Sequence, residues 1–296
     1  MSLPVIAKAL CQLRAEGYEA LSLSGGEPLL YPQIAALIET ARDLEFRISL
    51  VTNGARVRPS LDSVLERLDR VAVSFDGLEA VHNRIRGHPR AFRHAIEGLD
   101  HLHALGTSTF MAYTVSRSSL REIPDAVELA LSHGVSGLQL RPLIMAGRAA
   151  TDCADEALNE AALNRLYLIG LVLEEEVGNL LAVHTDLIHT SEIAASRDAY
   201  QSALDGDAEA LPLADLVNPL VILSDGTLKP FTYDFDARFD LGNVVDLDAD
   251  TLTGMKRTRF PPFRGLLRGV FDSAGDDDRF VDWFFHCREK SAARRL

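Results

Sequence analysis

The sequence predicts an α/β fold, in which parallel strands alternate with covering helices and a smaller region is appended at the C-terminal side. Three observations predict it. Short β-branched runs recur about every 30 residues, the span of a βα unit. An amphipathic stretch precedes each run. Near Ser191 the pattern gives way to polar sequence and then to a hairpin signal.

Taken in order, Ile6, Ala9, Leu10 and Leu13 fall at helical spacing, and Gly17 stops that helix before a strand over 18–24. Pro32 suits the start of the next helix, whose Ile34, Leu37, Ile38 and Ala41 form one apolar stripe ahead of a strand over 47–52. Leu61, Val64, Leu65 and Leu68 precede a strand over 71–75. Phe92, Ala95, Ile96 and Leu99 precede one near 108–115, and Ile123, Val127 and Ala130, stopped by Gly134, precede one over 137–141. A long helix around 156–177 and a sixth strand over 180–184 complete the series. Such a chain closes as a full or partial barrel or opens as a doubly wound sheet, and periodicity does not choose between them. In either case ligands bind at the carboxyl ends of the strands. Downstream, Leu220 to Leu223 and Thr227 to Phe231 flank Ser224-Asp225-Gly226, a hairpin signal, and Pro261 and Pro262 mark a further loop.

Composition narrows the function. The 296 residues carry a formal net charge of −13, which disfavours binding to a phosphate backbone, so nucleic acid is not an expected partner. No apolar run reaches the roughly 18 residues of a membrane span and no secretory leader opens the chain, so a cytoplasmic protein with no membrane partner is expected. The acidic stretches 205–209 and 276–278 and the basic tail read as solvated loops. Cys11, Cys153 and Cys287 are too far apart for any local Cys-x-x-Cys motif, and Cys11 is expected as a small buried residue on the apolar face of the first helix. Phosphate loops and a Gly-x-Ser-x-Gly elbow are absent.

Four strand ends carry polar or glycine residues: Ser24-Gly25-Gly26-Glu27-Pro28, Thr52-Asn53-Gly54, Ser74-Phe75-Asp76-Gly77 and Arg141-Pro142. Singly each is a turn signal. Together, from about residue 3 to about residue 246, they resemble radical S-adenosylmethionine (SAM) enzymes of the branch with a SPASM or twitch extension. Gly25, Gly26, Glu27 and Pro28 match the family's GGEP motif, where glycines let a ligand approach the backbone and a carboxylate accepts from the ammonium of SAM. Thr52 and Asn53 resemble its TNG. Ser74 and Asp76, followed by His82 and Arg86, resemble its S-x-D-G and downstream arginine; by that likeness Ser74 and Asp76 contact the ribose or carboxylate of SAM and Arg86 pairs the carboxylate. A solvated helix start is the rival reading of His82 and Arg86. Arg141 through Gly147-Arg148-Ala149 resembles the sixth strand and its exit.

The resemblance implies a partial (β/α) barrel of the radical SAM type over residues 1–190 and a degenerate SPASM-like extension over 191–296. It implies SAM and a 4Fe-4S cluster as cofactors, and reductive SAM cleavage with hydrogen abstraction from a peptide or small cofactor precursor. A protein reductant is the further expected partner. Two departures stand out. Only residues 1–24 precede Gly25, and one helix and one strand use them up, so the family's first strand and its Cys-x3-Cys-x2-Cys loop have no counterpart here, no metal ligand is expected in the chain, and the resemblance assigns no catalytic residue. Phe231 stands where the extension normally has a cysteine after Pro230. An N-terminally truncated enzyme is the expected explanation, and a catalytically inactive binding protein of the same fold the alternative.

Overall fold

A computed structural model describes residues 1–147, 149–274 and 278–293. Arg148, the acidic pair Asp276 and Asp277, and the last three residues of the basic tail lie outside the described residues.

In chain order come α1 (Leu3–Ala15), β1 (Ala20–Leu23), α2 (Ile34–Asp43), β2 (Arg47–Thr52), α3 (Asp62–Leu65), β3 (Arg70–Phe75), α4 (Glu79–Arg86), α5 (Ala91–Ala104), β4 (Thr109–Val115), α6 (Ile123–Ser132), β5 (Gly137–Pro142), α7 (Ala149–Asp152), α8 (Glu160–Val177) and β6 (Ala182–Thr185). They are followed by β7 (Leu187–His189), α9 (Thr190–Ala195), α10 (Gln201–Asp205), α11 (Leu213–Leu216), β8 (Leu220–Ile222), β9 (Thr227–Pro230), β10 (Gly242–Asn243), α12 (Ala249–Thr258), α13 (Phe260–Asp272), β11 (Phe280–Asp282) and α14 (Trp283–Ala292). By their contacts the residues divide into two units. One holds 20–42 and 47–187; the other holds 1–19, 43–46 and 188–296.

In the first unit six strands pair in the order β1-β2-β3-β4-β5-β6, every pair parallel. That sequential order settles the architecture, because a doubly wound sheet reverses its strand order at a switch point whereas a barrel does not. The sheet is an open, partial barrel. Alternation along the strands sorts its two faces. Ile48, Leu50, Val71, Val73, Phe75, Met111, Tyr113, Leu138 and Leu140 are fully buried on one of them. On that side α5 packs on β3 and β4, α6 on β5 and α8 on β6. The other face carries Ser49, Val51, Ala72, Ser74, Phe110, Thr114, Gln139 and Arg141, all half-buried or exposed. Parallel sheets are ordinarily covered on both faces. A half-open face is therefore space left for something else.

One end of that face carries a stacked cation and ring. Phe110 lies flat against Gly137, where an added Cβ would come within 2.2 Å of the ring, and the Arg70 guanidinium sits 4.0 Å above the ring centroid. Both belong to the amino-terminal half of their strands.

In the second unit α1 contributes Ala9 and Leu13 to a core shared with α11 to α14. Glu16 accepts from the backbone of Leu213 at 2.7 Å and pairs with buried Lys256 at 2.6 Å, and the Tyr18 hydroxyl donates to the Val217 carbonyl at 2.6 Å. The expected hairpin is present: β8 and β9 pair antiparallel, Ile222 opposite Leu228, around a turn whose Gly226 has φ of 90°. β10 adds a third strand to β9.

Four expectations are corrected. Cys11 is exposed, because one residue step turns it about 100° away from its buried neighbour Leu10. Pro261 and Pro262 form the first turn of α13 rather than a loop, since a missing backbone N–H costs nothing there. Pro32 stands in the turn before α2, which starts at Ile34. The long helix starts at Glu160 with Asn159 as its cap, and Glu156, expected within it, is buried in a preceding short 3-10 helix.

Candidate functional site

The carboxyl ends of β1 to β3 bring the expected residues into two groups. In the first, Glu27 follows the Gly25-Gly26 turn and caps a 3-10 helix, Pro28–Leu30. Its carboxylate accepts from the Leu29 backbone at 3.2 Å, from the Asn53 backbone at 3.0 Å, and from the Thr52 hydroxyl, which is 2.9 Å from both oxygens. Thr52 is 2% exposed and its own hydroxyl accepts from the Gly54 N–H at 3.2 Å. The Asn53 side chain accepts from Ala55 N–H at 2.9 Å and holds the next turn. Two carboxylate oxygens offer about four acceptor positions and three donors are in place, so one position stays open.

In the second group Asp76 and Arg86 form a bidentate pair, Nε to Oδ2 and Nη2 to Oδ1. Arg86 ends α4 and keeps donors to spare. His82 lies between them in chain order. It is 2% exposed, packed against Phe75 and Phe92, and its Nδ1 accepts from the Asp76 N–H at 3.0 Å. Burial pushes its pKa down to about 4, outweighing the upward pull of Asp76, with Arg86 adding to the lowering. A solvated helix start is thus wrong for His82: the imidazole is neutral and buttresses Asp76, 4.0 Å away, without forming an ion pair.

Ser74 stands on the half-open face with no hydrogen-bond partner among the described residues. Arg141 is placed apart from the β1–β3 tips, at β5. Its Nε donates to Asp186 at 2.8 Å, and Gln139 donates to the other oxygen of Asp186 at 2.8 Å. Asp186, just past β6, was not singled out by the sequence reading, although its place after a strand tip is the signal that could have found it.

The glycines at these tips differ in kind. Gly54, at φ of 80°, would put a Cβ 2.8 Å from the Ala95 Cα, and Gly77, at φ of 152°, would put one 2.6 Å from Val81. Both are demanded by the protein's own packing. Gly25 has φ of 128° but open space around it. Gly26 has neither a positive φ nor any atom within 4 Å of an added Cβ.

A carboxylate missed in the sequence lies nearby. Glu156 is 2% exposed and accepts from the Ser118 N–H at 2.9 Å, the Ser118 hydroxyl at 2.7 Å and Arg84 at 2.6 Å. Burial pushes its pKa up, but the Ser118 and Arg84 hydrogen bonds win and hold it at about 2. It fastens α4 to the loop that follows β4.

No group of three His, Cys, Asp or Glu able to hold a metal occurs among the described residues. Burial and then Asp282 push the Cys287 thiol up; burial and then Asp152, Glu156 and Asp155 push up that of Cys153. Neither thiol is poised as the thiolate an iron–sulfur cluster requires. Among the described residues no helix is long and apolar enough to cross a membrane.

Comparison with known proteins fits this geometry. The radical SAM superfamily profile matches residues 1–130. Among curated relatives, pre-heme d1 synthase of Dinoroseobacter shibae is 33% identical over 171 residues, 56% of this chain and 42% of that protein. The sporulation killing factor maturation protein SkfB of Bacillus subtilis is 26% identical over 140 residues, 47% of this chain and 34% of that protein. The chain thus spans less than half the length of these relatives. Among solved structures, anSMEcpe with bound AdoMet and the Kp18Cys peptide superposes with a TM-score of 0.64 at 16% identity, covering 98% of this chain and 87% of that one. Streptococcus suis SuiB bound to S-adenosylmethionine gives 0.65 at 15% identity, covering 89% of this chain and 60% of that one. The shared feature is the partial-barrel fold.

Proposed function

We propose, from the match of the radical SAM superfamily profile to residues 1–130, that the tips of β1 to β3 hold SAM and that the protein is a radical SAM enzyme acting on a peptide or a small cofactor precursor. The observation that carries the reading is Gly26, whose lack of a side chain nothing in the protein demands; a ligand lying against the backbone supplies the reason. Glu27, oriented by Thr52 and Asn53 on the neighbouring tip, offers its open acceptor position to the ammonium of SAM. The unpartnered Ser74 hydroxyl meets the ribose, and Arg86, steadied by Asp76 and His82, meets the carboxylate. Arg141 and Asp186 line the same half-open face toward β6. When bound beside a reduced cluster, SAM supplies the hydrogen-abstracting chemistry, and the protein supplies binding, orientation and exclusion of water.

The residues described fit SAM but not the cluster, and the cluster's three thiolates belong in this reading to a segment ahead of residue 1. Relatives named AdoMet-dependent heme synthase and sporulation killing factor maturation protein support a synthase or maturase, and in this reading a protein reductant is its partner. In this reading the barrel strands lie within residues 1–190, although α1 belongs by its contacts to the second unit, and 191–296 form a reduced SPASM-like extension. One observation favours the second reading, an inactive binding protein: Phe231 is 5% exposed and packs on Phe263 and Phe284, with ring centroids 5.1 and 5.2 Å away, at the position expected for a cysteine.

Calorimetric titration with SAM tests the site. Binding that weakens at least about tenfold in both Gly26→Val and Glu27→Ala, roughly 1.4 kcal/mol, is expected; affinity unchanged in both variants would sink it. In-frame coding sequence for Cys-x3-Cys-x2-Cys upstream separates the enzyme from the inactive protein.

A further inference from the structure

Helix α8 covers β6, yet of its 18 residues only Leu166 and Gly170 are fully buried. Its outward side carries Leu168, Leu171 and Val172, which are 60%, 46% and 57% exposed, and Leu180 just beyond the helix is 74% exposed. Single exposed apolar residues are ordinary, but positions i, i+3 and i+4 make one contiguous stripe.

The stripe is charged oppositely at its two ends. At the amino end Arg165 lines a cleft of about 240 Å³ together with Arg117, Arg121, Leu120, Pro124 and Ile169. Of these arginines, Arg117 lies 3.9 Å from Asp155. Three arginines lining one cleft in a chain of net charge −13 make that cleft locally positive. At the carboxyl end come Glu174, Glu175 and Glu176, all exposed, with Glu175 and Glu176 on the stripe's side of the helix.

We propose that α8 is a self-association face that pairs antiparallel with α8 of a second copy, about a two-fold axis near Gly170. In such an isologous contact each residue pair occurs twice. Leu168 then faces Val172 of the second copy, and Arg165 faces its Glu175, so the glutamates of each copy approach the arginine cleft of the other. A parallel pairing would set glutamates against glutamates. A foreign partner would give no reason for the two ends of one helix to complement each other. The paired stretch from Arg165 to Glu176 is about 16 Å long. A contact of that extent sits at the small end of specific interfaces, and association in the micromolar range is expected.

Sedimentation velocity of the whole chain from about 1 to 300 μM, a range bracketing micromolar association, decides the matter. A reversible dimer that weakens in 0.5 M salt, a concentration at which exposed charges are largely screened, is expected. Leu168→Glu with Val172→Glu, both at exposed positions, is expected to abolish it while leaving the far-UV circular dichroism and urea midpoint in place. Arg165→Glu alone and Glu175→Arg alone are each expected to weaken the dimer about tenfold or more, and the double reversal to restore it. A monomer at every concentration, a dimer indifferent to the glutamate pair, or a double reversal that restores nothing overturns the proposal.

Discussion

Glu27 and Thr52 join two neighbouring strand tips: the threonine hydroxyl, 2% exposed, sits 2.9 Å from each oxygen of the glutamate. That bridge converts two separate turn sequences into one acceptor surface. Thr52→Val keeps the shape and deletes the hydroxyl. A loss of about 1 kcal/mol in urea unfolding is expected, the size of one buried hydrogen bond, together with weaker SAM binding by calorimetry. Binding as tight as in the parent protein would detach Thr52 from the site.

The glycines give a paired test. Gly77→Ala and Gly54→Ala force a Cβ against Val81 and Ala95 at left-handed or otherwise strained backbone, and each is expected to cost at least about 2 kcal/mol of stability. Gly26→Ala meets no atom and is expected to stay within about 0.5 kcal/mol of the parent while losing SAM affinity. Equal destabilisation at all three positions would remove the distinction.

His82 is held neutral, with its folded pKa at about 4 against an ordinary value of 6.5. A base whose pKa is lowered on folding binds fewer protons folded than unfolded between those values. Its stabilising share is therefore complete above pH 6.5 and lost as pH falls toward 4. Nitrogen-15 NMR is expected to show Nε2 carrying the proton and Nδ1 bare down to about pH 5, one unit above that pKa. In His82→Phe this part of the pH slope disappears, at the expense of an orphaned Asp76 N–H. An imidazolium signal at pH 6 would refute the assignment.

Glu156 has the reverse sense. Its folded pKa of about 2 lies below the ordinary 4.5, so its contribution is present above pH 4.5 and disappears between 4.5 and 2. Glu156→Gln keeps the volume but loses the charge-assisted bonds, and a destabilisation of about 2 kcal/mol at pH 7 is expected. The difference from the parent should vanish near pH 2, which acid titration followed by circular dichroism checks.

Much of this was legible in the chain. Arg47 to Thr52 is legible to the residue, since a β-branched run stands there between a helix stripe and Asn-Gly. Glu27, Thr52 and Asn53 were legible as candidates, whereas their meeting was not, since a hydrogen bond across two strand tips depends on register. Glu156 looked like helix surface because its chain neighbours are helical in pattern; only Arg84 and Ser118, distant in sequence, make its burial tolerable. Arg141 is fastened to Asp186 for the same reason, a partner supplied by the next strand. Cys11 was misplaced within a correctly placed helix, where neighbouring positions point in different directions. Pro261 and Pro262 misled because proline is as compatible with a helix's first turn as with its absence.

The stacked Arg70 and Phe110 occupy the amino-terminal half of β3 and β4 on the half-open face. A molecule laid along β3 and β4 on that face would therefore meet a cation and an aromatic ring at one of its ends.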